Sequence, residues 1–235
     1  MAITMEQSGG DLIGSVGSDL AATALALARR FAAGATLWCW APSSPEHAQH
    51  VAVEFVHPVV VGTRALPAVA IEGDAAARLR PLARAGDVLL VIAGDADREV
   101  DDLLRRVQAW GLHTVRIGTG VRPPPGAVDH LVWLSPDPFA RHDGRLILSY
   151  HLLWELTQVC FEHPGLLEGE RAQGDVCVTC SDEGRLGEVV DSRTSDATVR
   201  TAAGVETIDT TVVGPVRAGD LVLVHAGTAI TVVDP

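Results

Sequence analysis

The sequence predicts a two-domain protein in which an α/β domain with a parallel five-stranded sheet precedes a small β-barrel. Short apolar runs alternate with segments of helical length up to about residue 162. From Gly174 onward no helical period is visible, and short Val- and Thr-rich runs are separated by Gly-containing turns. A charged and polar stretch at 168–174 lies between the two patterns, as is typical of a linker. We therefore assign residues 1–167 to the first domain and residues 175–235 to the second.

The first domain alternates strands and helices in the order that produces βαβ units. After a Gly- and Ser-rich start, Ser18 or Asp19 can cap a first helix that runs to about Ala33. Five apolar runs are too short for helices and predict buried strands at 35–41, 65–71, 87–93, 113–117 and 130–134. Further helices are predicted at 45–55, 75–85, 98–110 and 141–162. This alternation favours a sheet covered by helices on both faces, with ligands at the carboxyl ends of the strands.

The second domain is short and lacks any predicted helix. Alternating runs predict strands at 186–191, 197–201, 205–213, 221–224 and 229–233. Strands of this length, separated by Gly-containing turns, are typical of a small antiparallel barrel. Because a barrel below about 70 residues has a small core, we expect it to be stabilised by the first domain or by a partner.

The composition excludes several classes of function. The formal net charge is -12 and no cluster of arginines forms a basic stripe, so nucleic-acid binding is not expected. No apolar run reaches the roughly 20 residues that a membrane-spanning helix needs. The N-terminus also lacks the basic region and apolar core of a signal peptide. These observations favour a cytoplasmic protein that binds neither nucleic acid nor a membrane.

Two helices of the first domain carry candidate metal ligands. His50 and Glu54 are four residues apart on the helix after the first strand, so both lie on one face and can share a divalent ion. On the last helix Asp143 and His151 are eight residues apart, which corresponds to a rise of about 12 Å. A straight helix does not bring both to one ion, so either the helix begins irregularly or two subunits contribute. A solvated helix face is the ordinary alternative for such a pair.

The surrounding sequence resembles a known family. Residues 44–54 read SPEHAQHVAVE and residues 64–71 read RALPAVAI. Over residues 20–167 this order is similar to the phosphoheptose isomerase branch of the sugar isomerase (SIS) fold, which has an Ala-Gln-His-x-x-x-Glu helix before a Leu-Pro-Ala-x-Ala strand. The resemblance implies a Rossmann-type SIS-like sheet with a zinc site. The implied zinc ligands are His50, Glu54, Asp143 and His151, with Asp143 in place of the family's Gln, and the implied acid and base are Glu54 and His151.

The loops that hold phosphate in this family are altered here. The first loop, Gly-Asn-Gly-Gly-Ser in the family, reads WAPSS at 40–44, and only Ser44 keeps its residue type. The second loop places Asp95 and Asp97 where the family supplies hydroxyl groups. A carboxylate facing a phosphate dianion in a partly desolvated pocket costs several kcal/mol. We therefore expect a metal site without a phosphate site. The domain is then a scaffold with a vestigial site or a metal-dependent enzyme with a non-phosphorylated substrate, and a true phosphoheptose isomerase is the remaining alternative.

The second domain carries a second candidate site. Cys177 and Cys180 form a C-x-x-C pair at its start, while Cys39 and Cys160 lie in the first domain. Half of a zinc ribbon or a redox pair are the ordinary alternatives, but no second pair lies nearby and no helix follows. Residues 216–230 read VRAGDLVLVHAGTAI and resemble the Val-Gly-Asp-x-Val-Leu-Val-His-x-Gly-x-Ala-Ile signature of the HypC/HupF hydrogenase maturation chaperones.

This second resemblance implies an OB-like barrel that handles iron. In the family a Cys near the start of the barrel and the His of the His-x-Gly motif hold an Fe(CN)2CO unit together with HypD. His225 matches the histidine, and Cys177 or Cys180 matches the cysteine. The resemblance implies a HypD-like maturation protein and a NiFe-hydrogenase large subunit as partners, and the SIS fold implies a homo-oligomer, either a dimer or a tetramer. Two hypotheses follow: an accessory protein of metallocentre assembly, or a zinc-dependent isomerase or lyase with a docking barrel.

Overall fold

The computed structural model of the chain describes residues 6–58, 60, 62–94, 97–137, 144–167 and 184–233, with side chains from residue 16 onward. The predicted fold class is confirmed, because a parallel five-stranded sheet with flanking helices is followed by a closed five-stranded barrel. The candidate ligands Asp143, Cys177 and Cys180 and the loop residue Asp95 lie outside the described residues, as does the junction 168–174. The two domain boundaries therefore stay predictions.

The first domain has five strands and five helices in its described part. In chain order they are α1 (Glu6–Ala32), β1 (Leu37–Trp40), α2 (Pro45–Val56), β2 (Ala68–Ile71), α3 (Ala75–Leu82), β3 (Val88–Ile92), α4 (Arg98–Ala109), β4 (His113–Thr119), β5 (His130–Ser135) and α5 (Arg145–Glu162). The strand order is β2-β1-β3-β4-β5, which reverses direction between β1 and β3. Open α/β sheets bind ligands at such a reversal, beyond the carboxyl ends of the strands.

Burial on both faces explains why the central strands are continuous apolar runs. Every residue of β1 and of β3 is buried, and Leu37 of β1 lies in register with Ala68 on one side and Val88 on the other. Helices α1, α2 and α5 pack on one face of the sheet, and α3 and α4 pack on the other. Two apolar layers therefore fix the ends of the strands from which the site loops emerge.

Helix α1 begins at Glu6, twelve residues before the predicted cap at Ser18. Val16 and Leu20 of this helix are almost completely buried in the core. Tertiary packing of such an apolar face stabilises a helix even where Gly and Ser lower its intrinsic propensity. In the part of the chain that the structure describes, no helix is both long and apolar enough to cross a membrane.

The barrel is formed by β6 (Arg185–Ser192), β7 (Asp196–Thr201), β8 (Gly204–Asp209), β9 (Leu221–His225) and β10 (Thr228–Val233). Its order is β10-β8-β7-β6-β9, and all neighbours are antiparallel except β10 and β8, which meet in parallel at Thr228 and Asp209. A small apolar core fills it, including Val189, Val199 and Val222. Closure leaves the sheet without an open edge.

The barrel packs on the helical face formed by α3 and α4. Leu221 belongs to the same buried apolar cluster as Trp110 and Leu104, and Leu186 packs against this cluster from the barrel side. At its centre Glu188 of β6, only 3% exposed, is paired with Arg80 of α3 and with Arg106 of α4, whose Nη1 lies 3.2 Å from Oε1. Trp110 Nε1 donates to the second carboxylate oxygen at 2.9 Å. The predicted reliance of the barrel on the first domain therefore has a physical basis.

A pair of histidines at the amino ends of β4 and β5 predicts a pH-dependent stability. His113 and His130 have ring centroids 5.1 Å apart, and burial lowers the pKa of each, although Asp129 opposes the shift. Because the folded pKa lies below the ordinary value near 6.5, the unfolded chain binds more protons below that pH. We expect the urea midpoint to fall between about pH 7 and pH 5.5.

The pH prediction is tested by replacing both histidines. The variant carrying His113→Asn and His130→Asn should show a flatter dependence of its urea midpoint on pH than the wild-type chain. Replacing the exposed His57 by Asn is the matched control and should leave the wild-type dependence in place. An unchanged slope in the double variant would contradict the prediction.

Candidate functional site

Helix α2 presents two of the predicted metal ligands close to the end of β1. Pro45 occupies the first turn of the helix, where its missing N–H costs nothing, and Ser44 precedes it. The buried side chains of α2 lie on one face, so the half-buried His50 and Glu54 share the neighbouring face. Helix α5 packs against α2, and it places His151 beside them.

Three of the four predicted ligands converge in space. His50 Nε2 lies 3.3 Å from Glu54 Oε1, and His151 Nε2 lies 3.9 Å from the same oxygen. One ligand atom from each side chain lies within 4.8 Å of the others. The side chain of Glu54 is 16% exposed and those of both histidines are 40% exposed, so the cluster is open to solvent on one side. The fourth predicted ligand, Asp143, precedes α5 and lies outside the described residues.

The residues of this cluster fit a divalent transition metal. Two imidazole nitrogens and a carboxylate oxygen are a donor set that Zn²⁺ uses in catalytic sites, with a position left for water or substrate. The Nε2 atom of His151 is buried and has no hydrogen-bond partner among the described residues. A buried imidazole nitrogen without a hydrogen-bond partner, 3.9 Å from a carboxylate oxygen, is a position where a cation can satisfy both groups. His50, Glu54 and His151 are therefore the side chains that would hold the ion.

Tyr150 and His47 surround the cluster and were missed by the sequence analysis. The Tyr150 hydroxyl lies 3.0 Å from His50 Nδ1 and 3.4 Å from His47 Nδ1. Burial, together with the charge of Glu54, raises the pKa of Tyr150 to about 12, so the phenol is neutral. Burial also lowers the pKa of His47. His47 lies three residues before His50 on the same helix, and this spacing could have identified it as a site residue. Tyr150 lies on α5, and no local sequence pattern predicts its contact with α2.

A small pocket of about 110 Å³ lies beside His47 at the carboxyl ends of β1, β3 and β4. Ser44, which keeps the residue type of the family's phosphate loop, lines this pocket, and its role as a substrate-binding residue stays a prediction. Glu46 and His47 also line it, while the described part of its wall contains no arginine. Asp97 accepts hydrogen bonds from Glu99 N and Val100 N at 3.1 and 3.3 Å, so this carboxylate caps helix α4. Its predicted role towards substrate stays a prediction.

The third predicted histidine lies in the other domain. His225 ends β9 and is exposed, while the alternating Val222 and Val224 are fully buried in the barrel. A tight turn follows, in which Ala226 and Gly227 have φ angles of 49° and 73°. Since Gly tolerates this left-handed backbone and Ala does so at a cost, the turn accounts for the Gly of the His-x-Gly motif. His225 therefore lies at the rim of the barrel, directly before the two-residue turn of the β9–β10 hairpin.

Comparison with protein families assigns the β-barrel to a family. Residues 184–235 match the model of the HupF/HypC family. The barrel is a HupF/HypC domain. The match begins after Cys177 and Cys180, so it includes His225 but neither cysteine. No curated protein matches this chain.

Comparison with solved structures concerns the part before the HupF/HypC domain. A phosphoheptose isomerase from Francisella tularensis aligns with a TM-score of 0.57 at 19% identity, covering 65% of this chain and 92% of that one. Phosphoheptose isomerase GmhA from Neisseria gonorrhoeae aligns with a TM-score of 0.53 at 18% identity and the same two coverages. At such identities the likeness establishes the SIS fold of the first domain. The predicted fusion of a SIS domain with a HupF/HypC domain is thus confirmed.

Proposed function

We propose that this chain is a cytoplasmic accessory protein of hydrogenase maturation, in which the HupF/HypC domain handles an iron intermediate. The observation that carries the proposal is the family match over residues 184–235 with His225 exposed at the rim of the barrel. In this proposal Cys177 or Cys180 supplies a thiolate and His225 an imidazole to an Fe(CN)2CO unit, which is cargo. A thiolate is a soft donor that suits iron carrying cyanide and carbon monoxide.

A HypD-like maturation protein is the expected partner of the barrel, and a NiFe-hydrogenase large subunit is the expected acceptor of the Fe(CN)2CO unit.

Helices α2 and α5, which carry the candidate metal ligands, also carry exposed apolar side chains, namely Val53, Ile147 and Leu148. Exposed apolar side chains grouped on neighbouring helices are typical of interfaces. We propose that this face forms a dimer or tetramer, and sedimentation of a Val53→Asp variant tests the assembly, because a charge there should shift the protein towards monomer.

The iron proposal is tested with the full chain co-produced with a HypD-like protein and purified without oxygen. We expect iron in the complex, with infrared bands of cyanide and carbon monoxide. A His225→Ala variant and a variant carrying both Cys177→Ala and Cys180→Ala should each lose most of it, because a ligand is removed. His163→Ala changes an exposed histidine on the other domain and should retain the iron. Undiminished iron and undiminished partner binding in both ligand variants would contradict the proposal.

A second candidate function rests on the convergence of His50, Glu54 and His151. We propose that these side chains hold a zinc ion and that the SIS domain acts on a small molecule as an isomerase or lyase. A bound divalent ion would polarise a carbonyl or hydroxyl group of such a substrate. In that chemistry Glu54 and His151 are the candidates for acid and base. The small volume of the pocket, about 110 Å³, and the carboxylate of Glu46 in its wall favour a small substrate without phosphate.

Metal analysis of the purified chain tests this second candidate. About one zinc ion per chain is expected, in keeping with a site of three protein ligands. The His50→Ala and Glu54→Gln variants should lose the ion, while His163→Ala should keep it. With sedoheptulose 7-phosphate we expect no aldose formation at ordinary enzyme rates, because the phosphate loops are altered and Glu46 in the pocket wall would repel a phosphate dianion. Zinc that survives both substitutions would contradict the site.

A further inference from the structure

The two nitrogens of the His50 ring have different partners, and this division determines how His50 can bind a metal. Nε2 lies 3.3 Å from Glu54 Oε1, within the ligand cluster. Nδ1 lies 3.0 Å from the Tyr150 hydroxyl, on the other side of the ring. Tyr150 is 1% exposed, so its hydroxyl is inside the protein. Because the phenol meets Nδ1 and not Nε2, Tyr150 is not a member of the ligand set.

An imidazole binds a metal through a nitrogen that carries no proton. For His50 to bind through Nε2, the proton must be on Nδ1, and Nδ1–H then donates to the Tyr150 oxygen. In the alternative tautomer Nε2–H donates to Glu54, and no lone pair on that nitrogen is available for the ion. The Tyr150 oxygen can be that acceptor, provided that its own hydrogen is donated to another group.

His47 gives the Tyr150 hydroxyl a second partner, with His47 Nδ1 at 3.4 Å. When the hydroxyl donates to His47 Nδ1, its oxygen is left to accept from His50 Nδ1–H. The aromatic rings also pack together. The rings of His50 and Tyr150 meet edge to face with centroids 5.2 Å apart, and the rings of Tyr150 and His151 stack with centroids 5.4 Å apart. Tyr150 thus contacts two of the metal-cluster side chains and the histidine of the neighbouring pocket.

We propose that Tyr150 is the positioning residue of the metal centre, and that it fixes His50 in the tautomer that presents Nε2 to a divalent ion. The inference rests on the proposed zinc site and assigns to that site a residue outside its ligands. Hydrogen-bond partners of metal-bound histidines fix the ring orientation and raise ligand basicity, and their removal typically costs 10- to 100-fold in metal affinity. His47 acts indirectly, because it contacts the Tyr150 hydroxyl and not His50 Nδ1.

The test measures the affinity of the full-length protein for zinc by competition with a chromophoric chelator. Tyr150→Phe removes only the hydroxyl and should weaken zinc binding about 10- to 100-fold. His47→Leu removes the acceptor of that hydroxyl and should weaken it less, in the same direction. Trp154→Phe is the matched control on the next turn of α5, because the indole Nε1 of Trp154 has no hydrogen-bond partner among the described residues. That control should bind zinc as tightly as the wild-type chain.

A spectroscopic readout separates positioning from a general loss of packing. In the zinc-loaded wild-type protein, ¹⁵N spectra should show His50 with a proton on Nδ1 that exchanges slowly, and in Tyr150→Phe this signal should broaden or disappear. Wild-type affinity in Tyr150→Phe, or an equal loss in Trp154→Phe, would overturn the inference. If the wild-type chain binds no zinc, the proposed site itself fails. If His50→Ala abolishes binding but Tyr150→Phe does not change it, the site stands and only the role of Tyr150 fails.

Discussion

Replacing Glu188 by alanine should lower the free energy of unfolding by about 2–3 kcal/mol, because a buried indole N–H loses its charged acceptor and two partly exposed guanidinium groups lose their ion pair. The substitution leaves Arg106 and Trp110 without the carboxylate that both contact, at 3.2 and 2.9 Å. Arg106 keeps its bonds to Asp102 and to the carbonyl of Gly219, so one guanidinium nitrogen loses one of its two acceptors. The loss shows as a lower urea midpoint, followed by tryptophan fluorescence, because Trp110 lies at the interface.

Two further variants distinguish the buried interaction from surface charge. Glu188→Gln keeps an oxygen that can accept from Trp110 but loses the attraction to both arginines, so its midpoint should lie between those of the alanine variant and the wild type. Glu206→Gln removes the half-exposed pair with Arg185, at 2.7 Å, and should cost no more than about 1 kcal/mol. Equal losses in Glu188→Ala and Glu206→Gln would contradict the view that Glu188 anchors the barrel.

The second large effect is expected from Gly118→Ala in the centre of the sheet. A Cβ atom at this position would lie 2.1 Å from the carbonyl oxygen of Ala93 and 2.6 Å from the ring of Trp133. Neither neighbour moves easily, because the first is backbone at the end of β3 and the second is held by a hydrogen bond from its Nε1 to the Gly120 carbonyl at 2.8 Å. We expect a loss of about 3 kcal/mol or more, at the upper end of the cost of overpacking.

The matched control for this substitution is Gly165→Ala. Gly165 lies in the short 3-10 turn after α5, an added Cβ there would have no neighbour within 4 Å, and its φ angle is not positive. Its urea midpoint should therefore stay close to that of the wild type. If the two alanine variants unfold at the same urea concentration, the close approach of β3 and β4 at Gly118 does not constrain the fold.

Local patterns account for most of the elements that were predicted. The strand β1 was recognisable because its four consecutive residues are apolar and buried on both faces. The capping of α4 by Asp97 was not predicted, because that residue was assigned to the substrate loop. Helix α3 ends at Leu82 rather than near Ala85, two residues after Arg80 and directly after Pro81. Packing decided the start of α1, which propensity alone had placed twelve residues too late.

The candidate site was predictable only where residues that are close in the sequence are also neighbours on one helix. His50 and Glu54 are neighbours on one helix, so their spacing is sufficient, and His151 was added by the family resemblance. Tyr150 and Glu188 could not be foreseen, because each acts across a contact between elements that lie far apart along the chain. A glutamate in a strand that alternates apolar and polar residues is ordinarily exposed, and only the docking of the barrel buries Glu188.

The packing of the barrel on the first domain through Glu188 affects how a partner protein can contact the two candidate sites, one in each domain. A domain on a flexible tether samples many orientations, and its effective concentration near a second site is determined by the length of the tether. Here a buried ion pair and a shared apolar cluster hold β6 and β9 against α3 and α4. The distance from His225 to the cluster of His50, Glu54 and His151 is then determined by the fold rather than by the length of the linker. A protein that binds the rim of the barrel therefore meets a rigid two-domain surface, and its shape must accommodate both domains at once.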